Sequence, residues 1–330
     1  MPDLIIIDIT ENEKILLDES LNKKEIKGSG KITIKNPSKE SKLWNLGCDL
    51  KETVHTTINT REINIGTLNP SQEYIMNYDI QNLKEPSLKI IESFYSNKEL
   101  IDKLTNISLF KSDTDYKLQL NLINLLKHPI SNVNITRNLP EIFQDIEVKT
   151  PNIGFAGISV NDGIKILNWD ITILEPEQKA ELEITLKVKF TNIESFSLGS
   201  LKGTYLINYF KLTLLNPETR GLTDSISRIH RTETSQPDIW NCSVDFINKS
   251  NFQIRIEEVK VSQKVESGGK IVVSQTPNRL LNPEESWNYD FTVESENVPE
   301  LNSTVEFTPL YAVITRVKGE IVKESRIYSG

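Results

Sequence analysis

The chain has 330 residues, room for two or three domains that each bury a core. Hydrophobic content is 37% and charged content 25%, the balance of a folded chain, and no window approaches the ~18 consecutive apolar residues a membrane span needs. With 38 basic against 46 acidic residues the formal net charge is −8, which excludes a general phosphate-backbone binder because no cationic stripe is available.

The opening residues, Met1 to Asp8, place an acid before a short apolar run. A secretory signal needs a basic start, a longer apolar core and a small-residue cleavage site, so this stretch reads as a first strand. Ile5, Ile7 and Ile9, then residues 14–18, predict opening strands; Lys27-Gly28-Ser29-Gly30 predicts a turn, and Lys31 to Asn36 the next strand. Gly28-x-Gly30 fails as a phosphate loop, since a strand rather than a helix follows it. A polar connection, Ser38 to Lys42, leads to Leu43-Trp44-Asn45-Leu46-Gly47.

A motif then begins that occurs three times: Leu68-Asn69-Pro70, Leu174-Glu175-Pro176 and Leu281-Asn282-Pro283. The prolines recur at intervals of 106 and 107 residues. Behind each comes a strict alternation of apolar residues, as in Tyr74, Met76, Tyr78, Ile80 or Leu182, Ile184, Leu186, Val188. Period two is the signature of a half-buried strand, and proline marks the turn that feeds it. Upstream of each proline, by 34, 52 and 35 residues, an alternating strand ends in Asn36, Asn124 or Asn248. A repeat of this length matches one two-sheet sandwich of roughly seven strands per ~100 residues, so the fold class expected is all-β, three tandem Ig-like β-sandwich domains over residues 1–95, 106–235 and 236–330.

Between the first two units, Asn97 to Leu104 places Leu100, Ile101 and Leu104 at helical spacing, which predicts one short bridging helix. In the middle unit, Val133 to Pro140 is an alternating strand closing in Leu-Pro. Ile158-Ser159-Val160-Asn161-Asp162-Gly163-Ile164-Lys165-Ile166 carries Asn-Asp-Gly between two apolar strands, a strong hairpin signal. Leu167-Asn168-Trp169-Asp170-Ile171 and the repeat proline follow.

This order of a strand ending in Asn, a Leu-Pro strand, a Trp strand and a Leu-x-Pro turn resembles the Ig-like conserved-repeat domain family of archaeal and bacterial proteins. The resemblance covers residues 117–189 and, in the flanking units, only the strand-Asn and Leu-x-Pro pieces. It implies an Ig-like two-sheet fold and a cell-surface setting. Glu177 stands where that family usually has Gly, no signal peptide is expected, and residues 197–233 add material after the last strand.

The added material, Gly203 to Phe210 followed by Ser225 to His230, is echoed by Thr304 to Val313 followed by Glu324 to Tyr328. Each pair predicts a terminal hairpin, with tips at 215–221 and 317–320. Projecting hairpins are candidate interaction edges, which makes Tyr205, Tyr209, Phe210, Arg220, Tyr311, Arg316 and Tyr328 the candidate partner-binding residues.

No catalytic signature emerges. His55, His128 and His230 fall one near each unit, so no zinc set is expected, and no Gly-x-Ser-x-Gly elbow occurs. Cys48 and Cys242 lie in different units and predict buried thiols rather than an intradomain disulfide. Asp113-Thr114-Asp115 and Asn161-Asp162-Gly163 lack the spacing of a calcium loop. The four tryptophans sit in alternating segments, where core is expected. The expectation is therefore a non-enzymatic, cytoplasmic scaffold or adaptor with no catalytic, cofactor or metal residues, no nucleic acid and no membrane span, which binds a protein partner or copies of itself through sheet edges and hairpins. The alternatives are an adhesive array on the extracellular surface that binds glycans, and a hydrolase built on two carboxylates.

Overall fold

The computed structural model describes residues 4–17, 23–96, 99–100, 115–189, 195–208, 216–222, 225–265 and 268–328. Alternating β-branched and leucine residues set the pattern, and the described residues form strands joined by turns, with one helical turn of the 3-10 type among them at Thr53–His55.

In chain order, β1 (Ile5–Leu17), β2 (Lys23–Lys35), β3 (Leu43–Lys51), β4 (Glu62–Leu68) and β5 (Glu73–Ile80) come first. Next are β6 (Leu88–Ser96), β7 (Glu99–Leu100), β8 (Asp115–Asn124), β9 (Ile130–Leu139), β10 (Phe143–Val148), β11 (Phe155–Asn161), β12 (Ile164–Leu174), β13 (Lys179–Val188) and β14 (Ser195–Asn208). Then come β15 (Asn216–Leu222), β16 (Ser225–Glu233), β17 (Ile239–Asn248), β18 (Ile254–Val265), β19 (Gly268–Gln275), β20 (Arg279–Leu281), β21 (Ser286–Glu294), β22 (Leu301–Pro309) and β23 (Tyr311–Tyr328).

One eight-stranded sheet, in the order β11-β12-β9-β14-β23-β1-β2-β5, spans two apolar cores. Ile5, Ile7, Ile9, Ile32 and Ile34 face the first, which the sheet β15-β3-β4 closes with Leu46, Cys48 and Ile63. Ile135, Leu167, Trp169 and Leu201 face the second, which the sheet β10-β13-β8-β6-β7 closes with Leu120, Leu122, Ile184 and Leu186. A third core, with Val244, Phe246, Ile254, Val261 and Trp287, lies between β16-β17-β21 and the sheet centred on β18. Full burial of one such side chain is worth about 1.5–3 kcal/mol, so the alternation itself supplies the driving force.

The three repeat motifs occupy equivalent corners. The main-chain N–H of Asn36, Asn124 and Asn248 donates to the carbonyl of Gln72 at 3.0 Å, Gln178 at 3.2 Å and Glu285 at 3.0 Å. Each buried side-chain amide donates across the corner: Asn36 to Leu68 O at 3.1 Å, Asn124 to Leu174 O at 3.0 Å, Asn248 to Leu281 O at 3.2 Å. Their Oδ1 atoms accept from the N–H two residues on, at Ser38, Leu126 and Ser250. After each proline, Ser71, Glu177 and Glu284 take φ of 60°, 58° and 62°. Glycine takes such a left-handed position without steric cost, whereas here Ser and Glu hold it.

Several sequence expectations change. Residues 203–208 and 225–230 do not form a hairpin: β14 lies between β9 and β23, whereas β16 pairs β17. Of the first expected tip, 216–221 lies in β15, which pairs β3, and Leu215 is outside the described residues. The second expected tip, 317–320, lies in the middle of β23, which runs parallel to β1 and antiparallel to β14. β15 and β23 thus carry hydrogen-bonded sheets across the boundaries drawn at 95–106 and 235–236. Lys27 to Gly30 is not a turn but the middle of β2. Glu99 and Leu100 pair with β6 instead of joining a helix, and the rest of 97–104 lies outside the described residues.

Candidate functional site

Two places in the fold depart from plain sandwich packing. The first is a polar seam in the long sheet. The inward residues of β1 read Ile5, Ile7, Ile9, Glu11, Glu13, Ile15, Leu17, so two carboxylates fall between the first and second cores. Glu11 is 2% exposed and Glu13 6%. The Tyr78 hydroxyl donates to Glu11 Oε1 at 2.6 Å, and the Tyr205 hydroxyl to Glu13 Oε2 at 3.0 Å. Ser87 adds its N–H at 3.0 Å and its hydroxyl at 2.7 Å to Glu13. Glu11 Oε2 has no hydrogen-bond partner.

Glycines make room for the two rings. A Cβ on Gly30 would lie 2.0 Å from the Tyr78 ring, and one on Gly319 would lie 1.8 Å from the Tyr205 ring. Burial pushes the Glu11 carboxyl up, its bond to Tyr78 opposes this and the Glu13 charge adds to it. Burial likewise raises Glu13 against the bonds from Ser87 and Tyr205. Both carboxyls are raised, chiefly by burial, and at each a hydroxyl donates where water would otherwise do so.

On the outer face of the same strands, a concavity of about 1080 Å³ is lined by Lys14, Lys27, Lys202 and Lys318 with Asp79 and Glu320. Lys202 pairs with Glu320 at 3.0 Å and Lys27 with Glu25 at 2.7 Å, so much of this charge is neutralised internally. No group of three or more His, Cys, Asp or Glu among the described residues could hold a metal ion.

The second place is the edge strand β11. Asp162 and Gly163, with φ of 49° and 81°, make the two-residue turn that the Asn-Asp-Gly sequence predicts, and Asn161 pairs with Ile164 across it. In such a hairpin the residues flanking the turn exchange hydrogen bonds, and bonding alternates from there along the ladder. Ser159, Gly157 and Phe155 therefore bond to β12, while Val160, Ile158 and Ala156 turn their N–H and C=O groups to the open edge of the sheet. Their side chains share the face of Leu167 and Trp169, extending the second core past its cover. Val160 remains 67% exposed, Ile158 38% and, on the opposite face, Phe155 77%.

Edge strands are normally protected from unwanted pairing by charges, prolines or bulges. β10, across the sandwich, has both charge and a bulge, with Asp145 at φ 49° and a register shift between Gln144 and Glu147. The edge strands β4, β5, β7, β15, β16, β19, β20, β21 and β22 each carry at least one Asp, Glu, Lys or Arg as well. Among the described residues, β11 is the edge strand that has none.

The residues expected at a partner surface are dispersed. Tyr205 is interior, 3% exposed, which corrects its placement on a projecting hairpin. Tyr311 is half-buried against the first core, and Arg316 pairs with Asp8. Arg220 lies in β15 opposite Gly47, and Tyr328 lies in β23 opposite Ser195. Tyr209 and Phe210 are outside the described residues. Trp169 is buried with Nε1 donating to Ile153 O at 2.9 Å, whereas Trp44 is exposed, contrary to the core placement expected of it. Cys48 and Cys242 are buried and are not joined in a disulfide. The β11 edge was missed, although a signal existed: from Thr150 to Asn161 the sequence holds no charged residue.

No family model matches the chain, and no curated protein matches it. Among solved structures, the chain is similar to the Fcho1 mu homology domain of Danio rerio with bound Eps15 peptide, at 9% identity over 98% of each chain with a TM-score of 0.48. It is also similar to the yeast delta-COP-I mu-homology domain complexed with a Dsl1 WxWxV peptide, at 10% identity over 98% of this chain and 99% of that chain with a TM-score of 0.43. No helix among the described residues is long and apolar enough to cross a membrane.

Proposed function

We propose that the chain is a non-enzymatic protein-binding scaffold or adaptor, built from three Ig-like sandwich units, that takes an extended protein segment by strand addition. The observation that carries this reading is the β11 edge, where Ala156, Ile158 and Val160 offer free main-chain groups beside exposed apolar side chains and no charge. An added strand would gain main-chain hydrogen bonds from those groups and bury apolar residues against Ile158 and Val160, the division of affinity and specificity usual in strand addition. The two buried thiols support a reducing compartment as its setting.

A displayed library of random peptides, selected against the immobilised chain, tests the reading. It predicts enrichment of segments with apolar residues at alternate positions, whose binding is lost in Val160→Pro. Proline there removes one outward N–H and blocks the edge while leaving the ladder to β12 intact. Selected peptides that bind Val160→Pro as well as the wild type would contradict it.

A further inference from the structure

We infer that the strand received at β11 is β11 of a second copy of this chain, so that two copies join through one continuous sheet. This inference rests on the strand-addition reading and adds the identity of the partner.

The residues that offer free main-chain groups read Ala156, Ile158, Val160, with Ile158 at the centre. An antiparallel copy related by a two-fold axis through Ile158 sets Ile158 against its own counterpart and Ala156 against Val160 on either side. All of these residues have the same hydrogen-bonding phase, so each pair exchanges two main-chain bonds. Their side chains lie on one face, and small Ala156 faces larger Val160 at both ends. A closed two-fold contact uses one patch twice and stops at two copies.

Charge singles out this edge for self-pairing. An edge strand whose charges are of one sign, set antiparallel against its own copy, brings like charges together, and like charges across a strand pair are destabilising. The other end of the same sheet, β5, carries Glu73 and Asp79. Its last residues are also engaged, with Thr57 N–H donating to Asp79 O at 3.0 Å. β11 brings no charge to its counterpart although the chain carries −8 overall. On β10, which faces the same opening from the second sheet, Asp145 is paired to Lys187 at 3.2 Å within its own copy. The contact would cover Val160 and Ile158, the two apolar side chains the second core leaves open on this side.

Sedimentation equilibrium of the full chain over a range of concentrations tests the inference. The mass is expected to rise from 37.7 kDa to twice that value and stop there. Because β11 itself carries no charge, added salt is expected to have little effect on the dimer. Val160→Lys places an ammonium group at each end of the contact, against Ala156 of the other copy and beside Lys165 of its own, and Val160→Pro removes an outward donor without adding charge, so both are expected to stay at 37.7 kDa where the wild type is dimeric. Val160 is exposed and its N–H lies outside the ladder, so neither change threatens the fold. A wild type that stays at 37.7 kDa throughout, a mass that climbs past the dimer, or variants that dimerise like the wild type would each overturn the inference. If the monomeric wild type still binds an alternating apolar peptide at β11, strand addition stands and the second copy falls. If it binds neither, both fall.

Discussion

Lys323 Nζ donates to Glu92 Oε2 at 2.7 Å, joining β23, in the middle of the long sheet, to the sheet that covers the second core. Arg137 Nε donates to the other oxygen, Glu92 Oε1, at 2.8 Å. All three side chains are buried. Burial alone would raise the Glu92 carboxyl, but the charges and hydrogen bonds of Arg137 and Lys323 outweigh it and bring it down to about 2. β23 arrives from far along the chain to lie between β14 and β1, and this triad gives Lys323 a partner in one register.

Glu92→Gln leaves two interior cations without their counter-charge, and it is expected to destabilise the chain by about 3–5 kcal/mol in urea unfolding. In the wild type the Glu92 contribution is fully present above the ordinary carboxyl value of 4.5 and is lost as pH falls from there toward about 2. A flat acid limb between those values would contradict the triad's role.

The Glu11 carboxyl has the opposite sign. Its proton affinity is raised in the fold, chiefly by burial. Protonation therefore stabilises the fold fully below the unfolded value, and that stabilisation is lost as pH rises through the raised folded value. Glu11→Gln removes the charge and keeps an acceptor for Tyr78. It is expected to be more stable than the wild type at neutral pH, with the gap closing on acidification; comparison of urea midpoints at the two pH values reads this directly.

The equivalence of the three corners makes a further prediction. Asn36→Ala, Asn124→Ala and Asn248→Ala each strand buried carbonyls, such as Leu68 O, Leu174 O and Leu281 O. Each is expected to cost about 1–3 kcal/mol or somewhat more, because several acceptors are lost at once. Asn248→Asp, which turns a carboxylate toward Phe252 O and Leu281 O, should be worse at neutral pH than Asn248→Ala. Costs confined to one corner in thermal or urea unfolding would show that the motifs are not equivalent.

Gly319→Ala forces the Tyr205 ring away from β23 and with it the bond to Glu13. The expected loss is about 1–3 kcal/mol from overpacking. In a Tyr205→Ala background the same substitution should cost much less, since the two positions share one contact. A double-mutant cycle with no coupling would contradict this packing.

What the sequence makes legible is local. The Asn and Leu-x-Pro corners and the Asp162-Gly163 hairpin could be read because each is specified by residues close in the chain or repeated at equal spacing. The sequence predicts two strands where β1 is one, because Glu11 and Glu13 interrupt its apolar alternation. The hydroxyls that make those acids tolerable come from Tyr78 and Tyr205, 67 and 192 residues away. Gly319 suggested a hairpin tip for a similar reason: its purpose is to accept the Tyr205 ring, and nothing near it in the chain says so. The uncharged run from Thr150 to Asn161 was visible, but its meaning depended on β11 lying at the edge of the sheet, which is set by pairings elsewhere.

Hydrogen exchange resolved to single amides along β11 tests strand addition most directly. In the monomeric chain, at concentrations below those at which two copies pair, the Ala156, Ile158 and Val160 amides are expected to exchange freely, while those of Phe155, Gly157 and Ser159 are held by the ladder to β12. When a strand is bound, the first three should become protected and the second three should change little. Binding that leaves Ala156, Ile158 and Val160 exchanging freely, with protection appearing on another surface, would contradict the account.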